Sequence, residues 1–305
     1  MGPTAAGKTD LAIEIAKHYP VEIISVDSAL VYRGMDIGTA KPEVDVLQKY
    51  PHHLVDIIEP TERYSVGAFR HDALALMKDI TARGKVPLLV GGTMLYFKAL
   101  QQGLSDLPSA DSTIRATLEA EAEQYGLAHL HARLADVDPV SAKRIHVNDP
   151  QRLQRALEIY EITGKSLTEL TVKEEESIPY RVIKIILSPF ERSILHKRIE
   201  SRYKVMMENG FIDEVKNLFA NKDCHPDLPA IRAVGYRQAW AHLSGEYDQE
   251  TLVEKAVIAT RQMAKRQLTW LRAQHDGVWF DSGAGLPTDD VLRFIADQCP
   301  ELVIK

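Results

Sequence analysis

Cysteine is scarce. The 305 residues hold only Cys224 and Cys299, and neither has a second cysteine near it in sequence. A disulfide scaffold and a zinc site built on four thiolates are therefore excluded, and a reducing cytoplasm is the natural setting. Cys224 precedes His225, but two adjacent residues do not make a metal site. Long apolar runs are missing too. No stretch reaches the ~20 apolar residues that a bilayer demands, so no membrane partner is expected, and the chain opens on Met1-Gly2-Pro3-Thr4 rather than on a signal peptide. Positive charge is also lacking: the formal net charge is −6. Nothing draws the whole molecule to nucleic acid, so any such binding must come from local patches. There is no internal repeat and no low-complexity segment. What remains is 45% hydrophobic, ample for a core and ordinary for a globular chain. The length suits one large α/β domain, alone or with an insertion.

The strongest positive signal lies at the start. Gly2-Pro3-Thr4-Ala5-Ala6-Gly7-Lys8-Thr9 fits the phosphate-cradling pattern G-x-x-x-x-G-K-[ST]. Its glycines let the backbone curl so that N–H groups point at phosphate oxygens. Lys8 brings a mobile positive charge, and the Thr9 hydroxyl can ligate magnesium. Asp10 to Lys17 reads as a helix whose N-terminus adds its dipole toward the same anion. Such a loop should follow a buried strand, which would lie upstream of Met1. The motif specifies phosphate without saying which phosphate compound.

Apolar runs rich in β-branched residues predict strands at 21–26 (VEIISV), 52–58 (HHLVDII), 86–90 (VPLLV) and 181–187 (RVIKIIL). Helical patterns lie between them, at 65–83 and 94–101. Strand–helix alternation implies a parallel sheet covered by helices. It breaks between about 111 and 178, where helices are expected over 112–125, 128–135, 139–145 and 150–163. Residues 110–178 are thus expected to be an all-helical insertion. An α/β core would then comprise 1–109 and 179–305, with helices at 191–209, 212–220, 231–243 and 249–274.

In a parallel sheet, ligands bind beyond the carboxyl ends of the strands. Asp27-Ser28-Ala29-Leu30 ends the strand that follows the phosphate loop and its helix, so Asp27 should sit beside that loop. Three roles compete for it: steadying a magnesium water shell, general base in a transfer, or capping its own turn. Gly91-Gly92-Thr93 is a second turn at the same edge, fit for close approach by a ligand or simply a tight turn. Basic residues cluster at Lys143, Arg144, Arg152 and Arg155, at Arg192, Lys197, Arg198, Arg202 and Lys204, and at Lys255, Arg261, Lys265, Arg266 and Arg272. Each alone reads as a solvated helix face. Three together in an acidic protein read as a patchy anion binder. Arg232-Ala233-Val234-Gly235-Tyr236-Arg237 suits phosphate contact and base stacking, or a packed helix start.

In combination these segments resemble the tRNA dimethylallyltransferase, or tRNA isopentenyltransferase, family. The resemblance is carried by GPTAAGKT at 2–9, SVDSALVYRGMDIGTAKP at 25–42, LLVGGTMLYFKAL at 88–100, LPSAD at 107–111, NDPQRLQRALE at 148–158, RAVGYRQ at 232–238 and TRQMAKRQLTWLR at 260–272. It runs in order from residue 2 to about 281, and the 25–42 segment is the most specific. It implies a P-loop NTPase-like core and transfer of a dimethylallyl group from its diphosphate to the exocyclic amine of the adenosine 3′ to the anticodon. By this resemblance the loop at 2–9 and Arg202 hold the donor, with magnesium on Thr9, and Asp27 is the general base. The anticodon stem-loop of tRNA would be contacted by Asp27 to Leu30, Thr93, Arg115, Gln151, Arg152, Leu153, Gln154, Arg155 and Arg232 to Arg237. A cytoplasmic monomer is implied. The zinc finger of eukaryotic members has no counterpart, which points to the bacterial type.

Three rival readings remain at this point. A P-loop small-molecule kinase would share the loop, the metal and the sheet, yet would need neither the basic insertion nor RAVGYR. A prenyltransferase acting on free AMP or ADP would not need the reach of an insertion carrying QRLQR. A non-catalytic RNA-binding module would leave the phosphate loop unexplained.

Overall fold

A computed structural model describes residues 1–105, 107–171 and 178–302. The chain forms two compact units, Met1–Leu100 with Pro179–Lys305, and Gln101–Ile178.

The first unit is mixed α/β. Helix α1 (Lys8–His18) leads into strand β1 (Val21–Val26). Then come α2 (Val44–Lys49), β2 (His52–His53), α3 (Val66–Ala82), β3 (Val86–Gly91) and α4 (Met94–Gln102). The sheet is parallel, with order β2-β1-β3. β1 and β3 pair from Val21↔Val86 to Val26↔Gly91, so both strands end on the same rung. Ile23, Ile24 and Val26 are fully buried because both faces of β1 are covered. Helix α3 packs on the sheet through Phe69, Ala73, Met77 and Ile80. It starts where the Ser65 hydroxyl accepts the Ala68 N–H at 3.0 Å.

The strand expected over 52–58 is cut to His52–His53. Leu54 and Asp56 take φ of 63° and 55°, outside the range a ladder tolerates. The chain therefore turns away, and the Ile57 and Ile58 N–H groups bond to the Val31 carbonyl at 2.9 and 3.1 Å.

The second unit is helical among its described residues: α5 (Ser112–Tyr125), α6 (Leu127–Val137), α7 (Pro139–Arg144), α8 (Pro150–Thr163) and α9 (Leu167–Leu170). Its core is Leu118, Leu130, Leu134, Ala142, Ile145, Leu153, Ala156 and Leu157. The helix starts are written in the sequence. Asp138-Pro139 and Asp149-Pro150 place an acidic cap before a proline at the first helical turn, where the missing proline N–H costs nothing. Asp111 caps α5 by accepting the Thr113 and Ile114 N–H groups at 2.8 and 3.0 Å.

The first unit then resumes with β4 (Ile185–Ser188), α10 (Arg192–Glu208), α11 (Phe211–Ala220), α12 (Tyr236–Leu243), α13 (Gln249–Arg272), β5 (Val278–Asp281) and α14 (Thr288–Gln298). The strand expected from Arg181 begins at Ile185. It pairs in parallel with β5 in a separate two-stranded sheet. β5 and α14 lie outside every element assigned from the pattern; four residues are too few to show a period. α14 nonetheless closes a cluster of Leu11, Ile15, Tyr19, Leu187, Val291 and Ile295 beside α1. The helix expected from Ile231 starts only at Tyr236, after a run of turns. Met1 joins β4: its amine donates to the Ile185 carbonyl at 2.7 Å, and its carbonyl accepts the Leu187 N–H at 2.9 Å. Among the described residues no helix is long and apolar enough to cross a membrane.

Candidate active site

The phosphate-type loop lies between the two sheets of the first unit. A Cβ on Gly2 would come 2.3 Å from the Leu187 carbonyl oxygen, so only glycine passes there. Ala5 and Gly7 take φ of 60° and 89°, which bends the loop into the start of α1. Gly7 is the N-cap and offers no side chain, so the first N–H groups of α1 remain available to an anion. Lys8 is half-buried and its Nζ donates to the Pro3 carbonyl at 2.7 Å. Burial lowers its pKa to about 8; nearby Asp27 works against this, while Arg202 adds to it.

The last rung of the main sheet, Val26↔Gly91, sends Asp27 and Gly92 out side by side. Asp27 Oδ1 accepts the Ala29 N–H at 2.9 Å and the Leu30 N–H at 3.4 Å, the local turn its type favours. Its Oδ2 makes no hydrogen bond among the described residues. One oxygen serves the turn and the other is free for chemistry. Thr93 fastens the same edge: its N–H donates to the Val26 carbonyl at 3.2 Å and its hydroxyl accepts the Ser28 N–H at 3.1 Å.

Arg202, on α10, reaches the loop and the turn at Thr39. Its Nη1 donates to the Thr4 hydroxyl at 3.1 Å and its Nη2 to the Thr39 carbonyl at 3.0 Å. Burial pushes its pKa down, against the influence of Tyr203 and Asp27. No acidic side chain forms an ion pair with it among the described residues, so its charge is available to an incoming anion. Lys8 and Arg202 are thus two half-buried cations against the loop, each close enough to Asp27 for their charges to interact.

Two further residues brace the site, and sequence reasoning assigned neither. Glu214 on α11 accepts the N–H groups of Asp36, Ile37 and Gly38 at 2.8, 2.7 and 3.1 Å, and the Tyr236 hydroxyl at 2.5 Å. It holds the turn that presents Thr39 to Arg202. Gln267 on α13 accepts the Thr4 N–H at 2.9 Å and donates to the Gly92 carbonyl at 2.8 Å. A signal for it existed. Ala264, Leu268 and Leu271 form the buried stripe of α13, and Gln267 sits on that stripe as a polar residue that must find partners.

Thr9 and Asp27 suit a hard cation. The Thr9 hydroxyl has no hydrogen-bond partner among the described residues, and Asp27 Oδ2 is likewise free. Magnesium is commonly held by one or two protein oxygens, with substrate phosphates and water supplying the rest. No group of three His, Cys, Asp or Glu residues able to hold a metal occurs among the described residues.

The remaining candidates are dispersed. Tyr236 and Gly235 are buried; the Tyr236 ring packs edge-on to Phe211 and its hydroxyl binds Glu214. Arg232 and Arg237 are exposed, and Ala233 and Val234 half-buried. Arg237 borders a surface depression of about 520 Å³ with Tyr247, Lys255 and Gln262. In the helical unit, Leu153 belongs to the core. Arg115 and Arg155 grip Glu158, which is fully buried, at 2.8 and 2.6 Å, and Arg155 also donates to the Pro108 carbonyl at 2.6 Å. Burial pushes the Glu158 carboxyl up, but the two arginine hydrogen bonds hold it below the ordinary value. Gln154 donates to the Arg115 carbonyl and to Glu119. Gln151 and Arg152 lie on the exposed side, where Arg152 makes a loose 3.4 Å pair with Asp149.

A parallel α/β unit carrying this loop, carboxylate and half-buried cations is suited to a phosphate ester, and comparison with known proteins narrows the class. The model of the IPP transferase family matches residues 30–274. The chain is similar to the full-length tRNA isopentenylpyrophosphate transferase of Bacillus halodurans, with 38% identity over 98% of this chain and 95% of that one, at a TM-score of 0.71. It is also similar to the tRNA Δ2-isopentenylpyrophosphate transferase of Staphylococcus epidermidis: 34% identity, 99% and 97% coverage, TM-score 0.70. A eukaryotic dimethylallyltransferase captured acting on tRNA matches over all of this chain and 79% of its own, at 27% identity and a TM-score of 0.83. The chain belongs to the IPP transferase family and is a prenyltransferase.

Proposed function

We propose that the enzyme transfers a dimethylallyl group from dimethylallyl diphosphate to the exocyclic amine of the adenosine 3′-adjacent to the anticodon of tRNA, releasing N6-isopentenyladenosine-bearing tRNA and diphosphate. The observation that carries this reading is the convergence at one sheet edge. Lys8, Arg202 and the uncapped N–H groups of α1 gather at the loop, and Asp27, with one oxygen free, lies within their electrostatic reach. The core is read as P-loop NTPase-like on its motif, with residues 110–178 as an inserted helical domain.

An adenine amine is a poor nucleophile because its lone pair is shared with the ring. Asp27 accepts one amine proton as the N–C bond forms. The allylic C–O bond breaks, and its electron pair leaves on the diphosphate. Lys8, Arg202 and the loop N–H groups stabilise that charge where it develops. Thr9 would hold magnesium, which would supply charge neutralisation on the leaving group. Thr93 and residues 28–30 border the acceptor side. RNA contacts are assigned to Gln151, Arg152, Arg232 and Arg237, which are exposed. Arg115, Leu153, Gln154, Arg155 and Tyr236 serve RNA contact by holding the elements that carry those residues. The working form is taken as a cytoplasmic monomer.

The test is acceptor choice. Labelled dimethylallyl diphosphate is offered with bulk tRNA or with AMP. Label in tRNA alone supports the reading. Label in AMP alone, or brisk ATP hydrolysis with the allylic donor ignored, rejects it in favour of a free-nucleotide prenyltransferase or a kinase.

A further inference from the structure

The donor loop and the acceptor-side turn come from distant parts of the chain, and one side chain ties them together. Gln267 Oε1 accepts the Thr4 N–H at 2.9 Å, and Gln267 Nε2 donates to the Gly92 carbonyl at 2.8 Å. The amide can lie only one way round. Reversed, it would set N–H against N–H and oxygen against oxygen. Gly92 is shaped for this approach: a Cβ there would come 2.6 Å from Nε2. Both ends of the tie matter for geometry. Thr4 opens the loop, precedes Ala5 at φ 60°, and is held a second time by Arg202 on its hydroxyl. Gly92 precedes Thr93, whose hydroxyl fixes Ser28 beside Asp27. The helix that carries Gln267 is firmly seated, with Thr260, Ala264, Leu268 and Leu271 buried around it. Its Thr260 hydroxyl also binds the Tyr203 hydroxyl at 3.0 Å, one residue from Arg202.

We propose that Gln267 is a positioning residue that sets the distance between the donor loop and the Asp27 edge. This rests on the transfer reading given above. Each substrate keeps its own binding groups without Gln267, since Lys8 and Arg202 face the diphosphate and the exposed arginines face RNA. Their mutual alignment does not survive. A misplacement on the order of 1 Å between reacting groups costs a rate factor of about 100. Gln267 replaced by methionine keeps the shape and loses both bonds. Gln267→Glu keeps an acceptor for Thr4 but turns an oxygen toward the Gly92 carbonyl.

The experiment measures kcat and both KM values for wild type, Gln267→Met, Gln267→Glu and Gly92→Ala, with thermal unfolding alongside. The expected result is a kcat lowered roughly 10- to 100-fold in all three variants, with each KM within about threefold of wild type. Gly92→Ala strains the same tie from the other end, so it carries the test should the Gln267 variants fold poorly. Folded variants with undiminished kcat, or with losses confined to KM, overturn the proposal. A wild type that prenylates no tRNA at all would instead remove the transfer reading beneath it.

Discussion

Arg202 carries the clearest quantitative expectation. It is half-buried, it bonds Thr4 and Thr39, and no described acidic side chain pairs with it. A charge left without an acidic partner in a half-buried place is available to a ligand of opposite sign. Arg202→Gln keeps a donor amide and removes that charge. A hydrogen bond to a charged partner contributes about 1.5–3 kcal/mol, which converts to a donor KM raised roughly 10- to 150-fold. A second effect comes with it. Arg202 is one of the groups that lowers the Lys8 pKa, so its loss lets that pKa rise. The pH above which donor binding fails should then move upward in the variant. Initial rates at saturating tRNA, with donor concentration varied from neutral to alkaline pH, give both quantities, and filter binding of tRNA should be unchanged. A donor KM within twofold of wild type, or an alkaline limit that moves down, would refute the reasoning.

Lys8 is charged below its lowered pKa of about 8 and neutral above it. Affinity for an unreactive allylic diphosphate should therefore hold through neutral pH and fall beyond about pH 8; calorimetric titration showing no fall before the ordinary lysine range contradicts this. Salt dependence should separate the arginines of the insertion. Arg152→Ala, at an exposed position, should weaken tRNA binding and reduce the log–log salt slope by about 1, whereas an unchanged slope takes Arg152 out of the interface. Glu158→Gln leaves Arg115 and Arg155 without their counter-charge. It should destabilise the full chain by about 3 kcal/mol in urea unfolding, the low end for a broken buried pair because the arginines are partly exposed. The sign with pH follows from the depressed carboxyl. Its contribution is present above the ordinary glutamate pKa and is lost as pH falls through the folded value, so acidification should narrow the gap between variant and wild type. A gap that widens in acid contradicts it.

The sequence showed the site more fully than the fold around it. The phosphate-type loop, the strand ending at Asp27 and the Gly91-Gly92-Thr93 turn are local patterns, and a parallel sheet sends its strand ends to one edge by topology alone. The Asp-Pro helix starts at 138–139 and 149–150 are local as well. Partnership between distant residues was less legible. Glu214 reads as one more acid on an amphipathic helix until its carboxylate meets the backbone of residues 36–38. Gln267 is marked only by standing on an apolar stripe. Arg155 reads as a free cation in a basic run, yet buried Glu158 one turn away claims it. The truncated β2 depends on positive φ at Leu54 and Asp56, which β-type residue preferences do not announce. β5 is too short to show a period and gains its meaning only from pairing with β4.

The account turns on the free oxygen of Asp27. Asp27→Asn preserves the bonds to Ala29 and Leu30, since the amide oxygen can accept both N–H groups, but the side chain can no longer take a proton. A single-turnover measurement with saturating dimethylallyl diphosphate and tRNA isolates the transfer step from binding. The rate should fall by roughly two to four orders of magnitude, the usual worth of a positioned general base, while both substrates bind nearly as before. A near-normal rate in Asp27→Asn would contradict the account and leave Asp27 as a turn-forming or metal-steadying residue.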